Sequence, residues 1–142
     1  MYRLTAFLVV WLTGLTGLTL AAPRPKGPPK KDPPVVGKWR LVQMDGAKSP
    51  IRMSVEYSAD GTAVRTNDDG RPAFHWRYTA DATADPARLD YLYDDKPPDL
   101  CIFKVDGDTL TVCYSIGDRA RPAAFGQPRT RELVFERVRP KD

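Results

Sequence analysis

The stretch "CIFKVDGDTLTVCYSI", residues 101–116, alternates apolar and polar residues on both sides of an Asp-Gly-Asp signal. Such period-two alternation is strand chemistry, because successive side chains of a strand leave opposite faces. Asp-Gly between two such runs is a strong hairpin signal. With Asp106-Gly107 as a two-residue type I′ turn, Val105 pairs with Asp108, Phe103 with Leu110 and Cys101 with Val112. Cys101, Phe103 and Val105 then share a face with Leu110, Val112, Tyr114 and Ile116. A sheet with a single buried face requires that outcome. Turn chemistry and hydrophobic pattern thus point independently to an antiparallel hairpin.

The same pattern extends in both directions along the chain. "MSVEYS" sets Met53, Val55 and Tyr57 against Ser54, Glu56 and Ser58, and "TAVRT" returns after the turn "ADG" at 59–61. "AFHWRYT" follows the turn "NDDGRP", 67–72, with Phe74, Trp76 and Tyr78 on one parity. "RLDYLYDD" offers Leu89, Tyr91 and Tyr93, and "ELVFERV" closes the series. With residues 36–44 the count is eight short strands, and no helical period of useful length appears. The expected fold class is all-β, an antiparallel barrel or sandwich of roughly eight strands. Ten aromatic residues outside the first segment and the loop residue Phe125 fall on the inward parity. An eight-stranded barrel is narrow, so ten rings predict a filled interior or a small aromatic-lined cavity rather than a wide calyx.

The 142 residues suffice for one domain. Residues 4–22, "LTAFLVVWLTGLTGLTLAA", are apolar and follow Arg3, the layout of a secretory signal peptide ending at Ala21. An uncleaved anchor is the alternative, since a run of this length can span a bilayer. No cysteine lies near the cleavage site, which argues against a lipoprotein anchor. Residues 22–34, "APRPKGPPKKDPP", hold six prolines in thirteen and read as an extended linker. The net charge of +4 resides there and at Arg3, because residues 35–142 hold 17 basic and 17 acidic side chains. A neutral folded part excludes the basic footprint of a nucleic-acid binder. The expected organisation is signal peptide 1–21, linker 22–34 and barrel domain 35–142. The expected location is exported, periplasmic or extracellular, with a membrane partner only if the first segment stays uncleaved. An oxidising compartment permits a Cys101–Cys113 disulfide. In the register above, however, Cys101 faces inward and Cys113 outward, and side chains on opposite faces cannot bridge. A three-residue loop would realign them.

The barrel domain begins "VVGKWRLVQMDG", residues 35–46. Gly37-Lys38-Trp39 resembles the Gly-x-Trp start of lipocalin-type barrels. That resemblance implies that Trp39 closes the barrel floor and that Arg137, in "LVFERV", packs across it. A planar guanidinium suits this task, because it stacks on a ring while donating to nearby carbonyls. More of the chain, about residues 36–138, is similar to a family of small exported lipocalin-like domains of unknown function abundant in planctomycete bacteria. The shared features are the G-x-W start, the P-x-x-(I/L)-D segment within "ADPARLD", the D-G-D-T-L-x-x-C strand and an R-P-x-x-F loop. Arg121, Pro122 and Phe125 match that loop, and Cys113 matches the family cysteine. The resemblance implies the fold, a single antiparallel, roughly eight-stranded, lipocalin-like up-and-down barrel, and the exported location, and no activity.

No constellation of catalytic residues emerges. His75 is the only histidine and sits on the outward parity, with no nucleophile elbow in the chain. One histidine and two cysteines do not furnish a zinc site. The acids of 81–99 lack the spacing of a calcium loop, and inward positions hold almost no acids for paired-carboxylate chemistry. The chain therefore reads as a non-enzyme with no cofactor and no metal. Loop 117–131, "GDRARPAAFGQPRTR", is long for a hairpin. Its Arg119, Arg121, Arg129 and Arg131, with Phe125, form the expected ligand-binding group, since guanidinium forks suit carboxylate, sulfate or phosphate. The competing reading tucks Phe125 against the barrel and pairs the arginines with the acids of 81–99. The expected function is a binding module for a small or anionic ligand near that loop. The alternative is a structural or protein-interaction domain of the cell envelope with a filled barrel.

Overall fold

A computed structural model describes residues 31–140, so the expected signal peptide and most of the linker lie outside the described residues. Nine strands form: β1 (Gly37–Met44), β2 (Ala47–Lys48), β3 (Met53–Tyr57), β4 (Thr62–Asn67), β5 (Pro72–Asp81), β6 (Ala87–Leu92), β7 (Asp99–Asp106), β8 (Thr109–Ser115) and β9 (Thr130–Arg137). β2 is a two-residue ribbon folded back on β1, with Gln43 opposite Lys48. The other eight pair antiparallel in chain order, and β9 returns to pair with β1. The result is a closed eight-stranded antiparallel barrel. Closure removes the exposed edges that an open sheet would present.

The β7–β8 hairpin forms with a shifted turn. Its central residues are Gly107 and Asp108, so Val105 pairs with Leu110, Phe103 with Val112 and Cys101 with Tyr114. The sequence expectation had placed the turn at Asp106-Gly107. Gly107 takes the positive φ of 56°, and Asp108 is not among the residues with positive φ. That geometry, with glycine first, belongs to a type II′ turn rather than type I′. The pairing moves by two residues, which preserves every inward and outward assignment. Cys101 faces inward beside Leu89 and opposite Tyr114, while Cys113 faces outward opposite Ile102. Both thiols are free and buried.

One end of the barrel is closed. Trp39 and Val35 are fully buried there, and Trp39 Nε1 donates to the Val35 carbonyl at 2.7 Å. The Arg137 guanidinium lies 4.1 Å from the Trp39 ring centre and donates through Nη1 to the Val36 carbonyl at 3.2 Å. Gly37 supplies the space. Its φ is +129°, and a Cβ there would lie 2.6 Å from Arg137 Nη1. Asp108, in the β7–β8 turn, fixes the other side of the guanidinium at 3.6 Å and also pairs with Arg139. Its backbone carbonyl accepts from the Arg137 N–H at 2.8 Å.

Arg137→Ala removes the stack, a carbonyl bond and an ion pair together. A loss of about 2 kcal/mol is expected, seen as a fall in melting temperature of roughly 8 °C. Arg137→Lys should recover less than half of it, because an ammonium cannot stack as a plane. An unchanged melting temperature for Arg137→Ala would remove the closure from the list of stabilising features.

Candidate functional site

The end opposite Trp39 is open. Here a cup of about 850 Å³ opens, walled inside the barrel by Met44, Met53, Val55, Trp76, Tyr91, Cys101, Tyr114, Leu133 and Phe135 and bordered at the rim by Phe74, His75, Arg77 and residues 92–96. Of the two outcomes that ten inward rings predict, a filled interior and an aromatic-lined cavity, the barrel shows the cavity. The reason lies in how the rings distribute. Trp39, Tyr57, Tyr78, Phe103 and Phe135 are buried in the core, whereas Phe74 stands at the rim with 63% of its surface exposed. Trp76, Tyr91, Tyr93 and Tyr114 are partly buried and border the cup rather than fill it.

The floor is a hydrogen-bonded aromatic cluster. The Tyr57 and Tyr91 hydroxyls share a 2.7 Å bond, and Tyr78 donates to the Ser58 carbonyl at 2.7 Å. Tyr57 meets Tyr78 edge-on at 5.1 Å, and Trp76 meets Tyr91 edge-on at 5.5 Å. Edge-to-face contacts of this kind hold rings in fixed orientations. Burial raises the pKa of the Tyr57 and Tyr91 hydroxyls. Burial and a bond to Asp99 raise that of Tyr93. The Cys101 thiol is pushed up to about 12, chiefly by burial and then by Asp99 and Asp90. These phenols and the thiol are neutral at physiological pH, and a protonated thiol is a poor nucleophile.

Charge enters the cup through arginine and lysine. Arg65 is on the inward parity of β4, since it pairs with Val55 on one side and Phe74 on the other. Its guanidinium carbon lies 5.6 Å from the Phe74 ring centre. Arg131 enters from β9 and bonds through Nε to Asp45 Oδ2 at 3.2 Å. At the rim, Arg77 pairs with Asp94 at 3.8 Å and Lys96 with Asp99 at 3.5 Å.

The loop that sequence reading singled out runs elsewhere. It leaves β8 beside the cup and crosses the outside of the barrel. Arg121 forms a two-pronged bond to Asp90, at 2.6 and 3.0 Å, and donates to the Cys101 carbonyl at 2.7 Å. Phe125 lies against Lys104 at 4.7 Å, and the Gly126 N–H donates to Glu132 at 3.0 Å. The loop thus reaches from β6 to β9. Beneath it the outward-facing Ile102, Thr111 and Cys113 are buried. Arg119 donates to the Pro97 carbonyl at 3.3 Å, and Arg129 carries a positive φ at the start of β9. Of the five residues expected to bind ligand, only Arg131 lines the cup; Arg119, Arg121, Phe125 and Arg129 do not. His75 is exposed at the rim, and among the described residues no group of three His, Cys, Asp or Glu side chains is placed to hold a metal. Comparison with family models, curated proteins and solved structures finds no match to this chain.

The Arg121–Asp90 pair latches this strap, and both side chains are about three-quarters buried. Arg121→Met should cost about 2 kcal/mol of stability and uncover Cys113. Iodoacetamide at pH 8, followed by intact-mass measurement, should leave the native protein unlabelled and label Cys113 in the variant. Cys101, inside the barrel, should stay unlabelled in both. Labelling of Cys113 in the parent protein at the rate of the unfolded chain would show that the strap does not cover it.

Proposed function

We propose that this protein is an exported, non-enzymatic, lipocalin-like binding module, and that its ligand is a small molecule with an apolar body held in the open cup. The observation that carries this reading is the cavity itself. Its volume of about 850 Å³ falls in the range of small-molecule sites, and its walls are aromatic and aliphatic with a few polar groups turned inward. A domain that served only as a structural element would gain from filling that space, because each missing packing contact costs stability. The neutral phenols and the unreactive thiol favour retention of a ligand over chemistry upon it. The resemblance to small exported domains around Gly37-Lys38-Trp39 and "DGDTLTVC" supports the exported setting.

The neutral dye N-phenyl-1-naphthylamine tests the reading, because its fluorescence rises on transfer from water to an apolar site. Saturable one-to-one binding is expected, with quenching of tryptophan emission, since Trp76 lines the cup. Met53→Trp places a large ring in the cavity and should weaken binding by at least about tenfold, or about 1.4 kcal/mol, while the melting temperature changes little. Absence of saturable binding, or equal binding by Met53→Trp, would refute the cup as a ligand site.

A further inference from the structure

We infer that the ligand of the cup is an organic anion whose charged group seats against Arg65 and the indole N–H of Trp76. This rests on the reading of the cup as a binding site and adds the chemical class. Four cationic side chains line the cavity: Arg65, Arg77, Lys96 and Arg131. Three of them already face a carboxylate, Arg77 with Asp94, Lys96 with Asp99 and Arg131 with Asp45. Among the described residues no carboxylate reaches Arg65. The acid of the lining that pairs with none of these cations, Asp95, is exposed on the segment after β6.

A second observation points to the same place. Two buried side-chain nitrogens have no hydrogen-bond partner in the described structure, Arg65 Nε and Trp76 Nε1. They stand on adjacent strands and on the same inner face. Ala63 pairs with Trp76 and Arg65 with Phe74, which makes Arg65 and Trp76 diagonal neighbours. Diagonal neighbours on a sheet lie within reach of long and aromatic side chains. Both donors belong to side chains that are only partly buried and that border the cavity. Both nitrogens are shut off from the open space, so an acceptor in the cup reaches them once the two side chains turn towards it. Buried donors left unpaired are costly, and a charged acceptor offers them the strongest bond. The rest of the wall sets the remainder of the ligand. Met44, Met53, Tyr91 and Leu133 offer nothing to a bare inorganic ion, so the anion must carry an apolar, preferably aromatic, body.

Two probes separate the claims. 8-Anilinonaphthalene-1-sulfonate and N-phenyl-1-naphthylamine share one ring skeleton and differ by a sulfonate. The parent protein should bind the sulfonate at least about tenfold more tightly. Arg65→Met keeps the apolar stem, so it should abolish that preference while neutral-probe affinity stays within about twofold. Arg65→Lys should retain part of the preference, since the charge remains and the planar fork is lost. Retained neutral-probe binding also certifies that each variant is folded. Equal affinities in the parent, or a preference that survives Arg65→Met, would overturn the anion assignment and leave the cup intact. Failure of both probes to bind the parent would overturn the cup reading, and this inference with it.

Discussion

The Trp39–Arg137 stack sits on the one seam that the chain must close late, between β1 and β9. Trp39 and Arg137 are register partners across that seam, so the stack joins the first strand to the last at the point where sequence separation is greatest. Long-range pairing costs loop entropy before it returns contact energy. Two features lower that cost here. Gly37 leaves room for the guanidinium beside the backbone, and Asp108 holds the same guanidinium from the β7–β8 turn. Three separate stretches of chain therefore meet around a single arginine. Val35 and Trp39 then plug the end, and the core builds outward from them through Tyr57, Leu110 and Phe135.

That closure also explains why the opposite end stays open. Large rings concentrate near the plug and in the middle of the barrel, where Trp39 and Tyr78 donate to backbone carbonyls and Tyr57 meets Tyr78 edge-on. Towards the rim the inward positions pass to Met44, Met53, Arg65, Phe74 and Arg131, long or polar side chains that lie along the wall. Neither Arg65 nor Arg131 can pack across the opening without leaving a charge in an apolar space. The outer strap is a separate device. It buries Ile102 and Cys113 on the face where a barrel strand ordinarily meets water, and it ties β6 to β9 through Arg121 and Glu132.

The barrel was legible because period-two alternation and turn residues are local signals, and eight runs of them agreed. The closure was legible through Gly37, Trp39 and Arg137 together with the family resemblance. The site was not. In "TAVRT" the more apolar reading faces Val64 inward, yet Tyr57 pairs with Ala63 and so turns Ala63 and Arg65 in. The length of the β3–β4 connection decides that parity, and composition does not report it. Arg131 was counted with the loop because its strand begins at Thr130, two residues after Pro128. The loop kept two readings for a different reason, and the Arg121–Asp90 pair is the competing one. Four arginines in a long loop look alike in sequence, whereas their partners, Asp90, Pro97 and Asp45, are distant in the chain. Aromatic parity was read well, but parity does not give depth, so it could not separate a plugged barrel from one with rings around an open half.

The apolar setting of its wall is what gives Arg65 its weight. A guanidinium does not shed its proton inside a protein, so burial cannot be relieved by neutralisation as it can for lysine or a carboxyl. Its charge has to be met by a partner, by water or by the face of a ring. Phe74 supplies a ring face at 5.6 Å, yet Phe74 is itself mostly exposed and so is a poor shield. Around it the phenols of Tyr57 and Tyr91 and the thiol of Cys101 are held neutral by burial. Arg77, Lys96 and Arg131 each face a carboxylate, so among the described residues Arg65 is the lining cation left uncompensated, and its attraction for an anion grows as water is displaced. Selectivity in such a cup follows from two requirements acting together. The apolar wall admits only a ligand that can displace water from it, and the guanidinium favours only a ligand that brings a negative charge to the same depth.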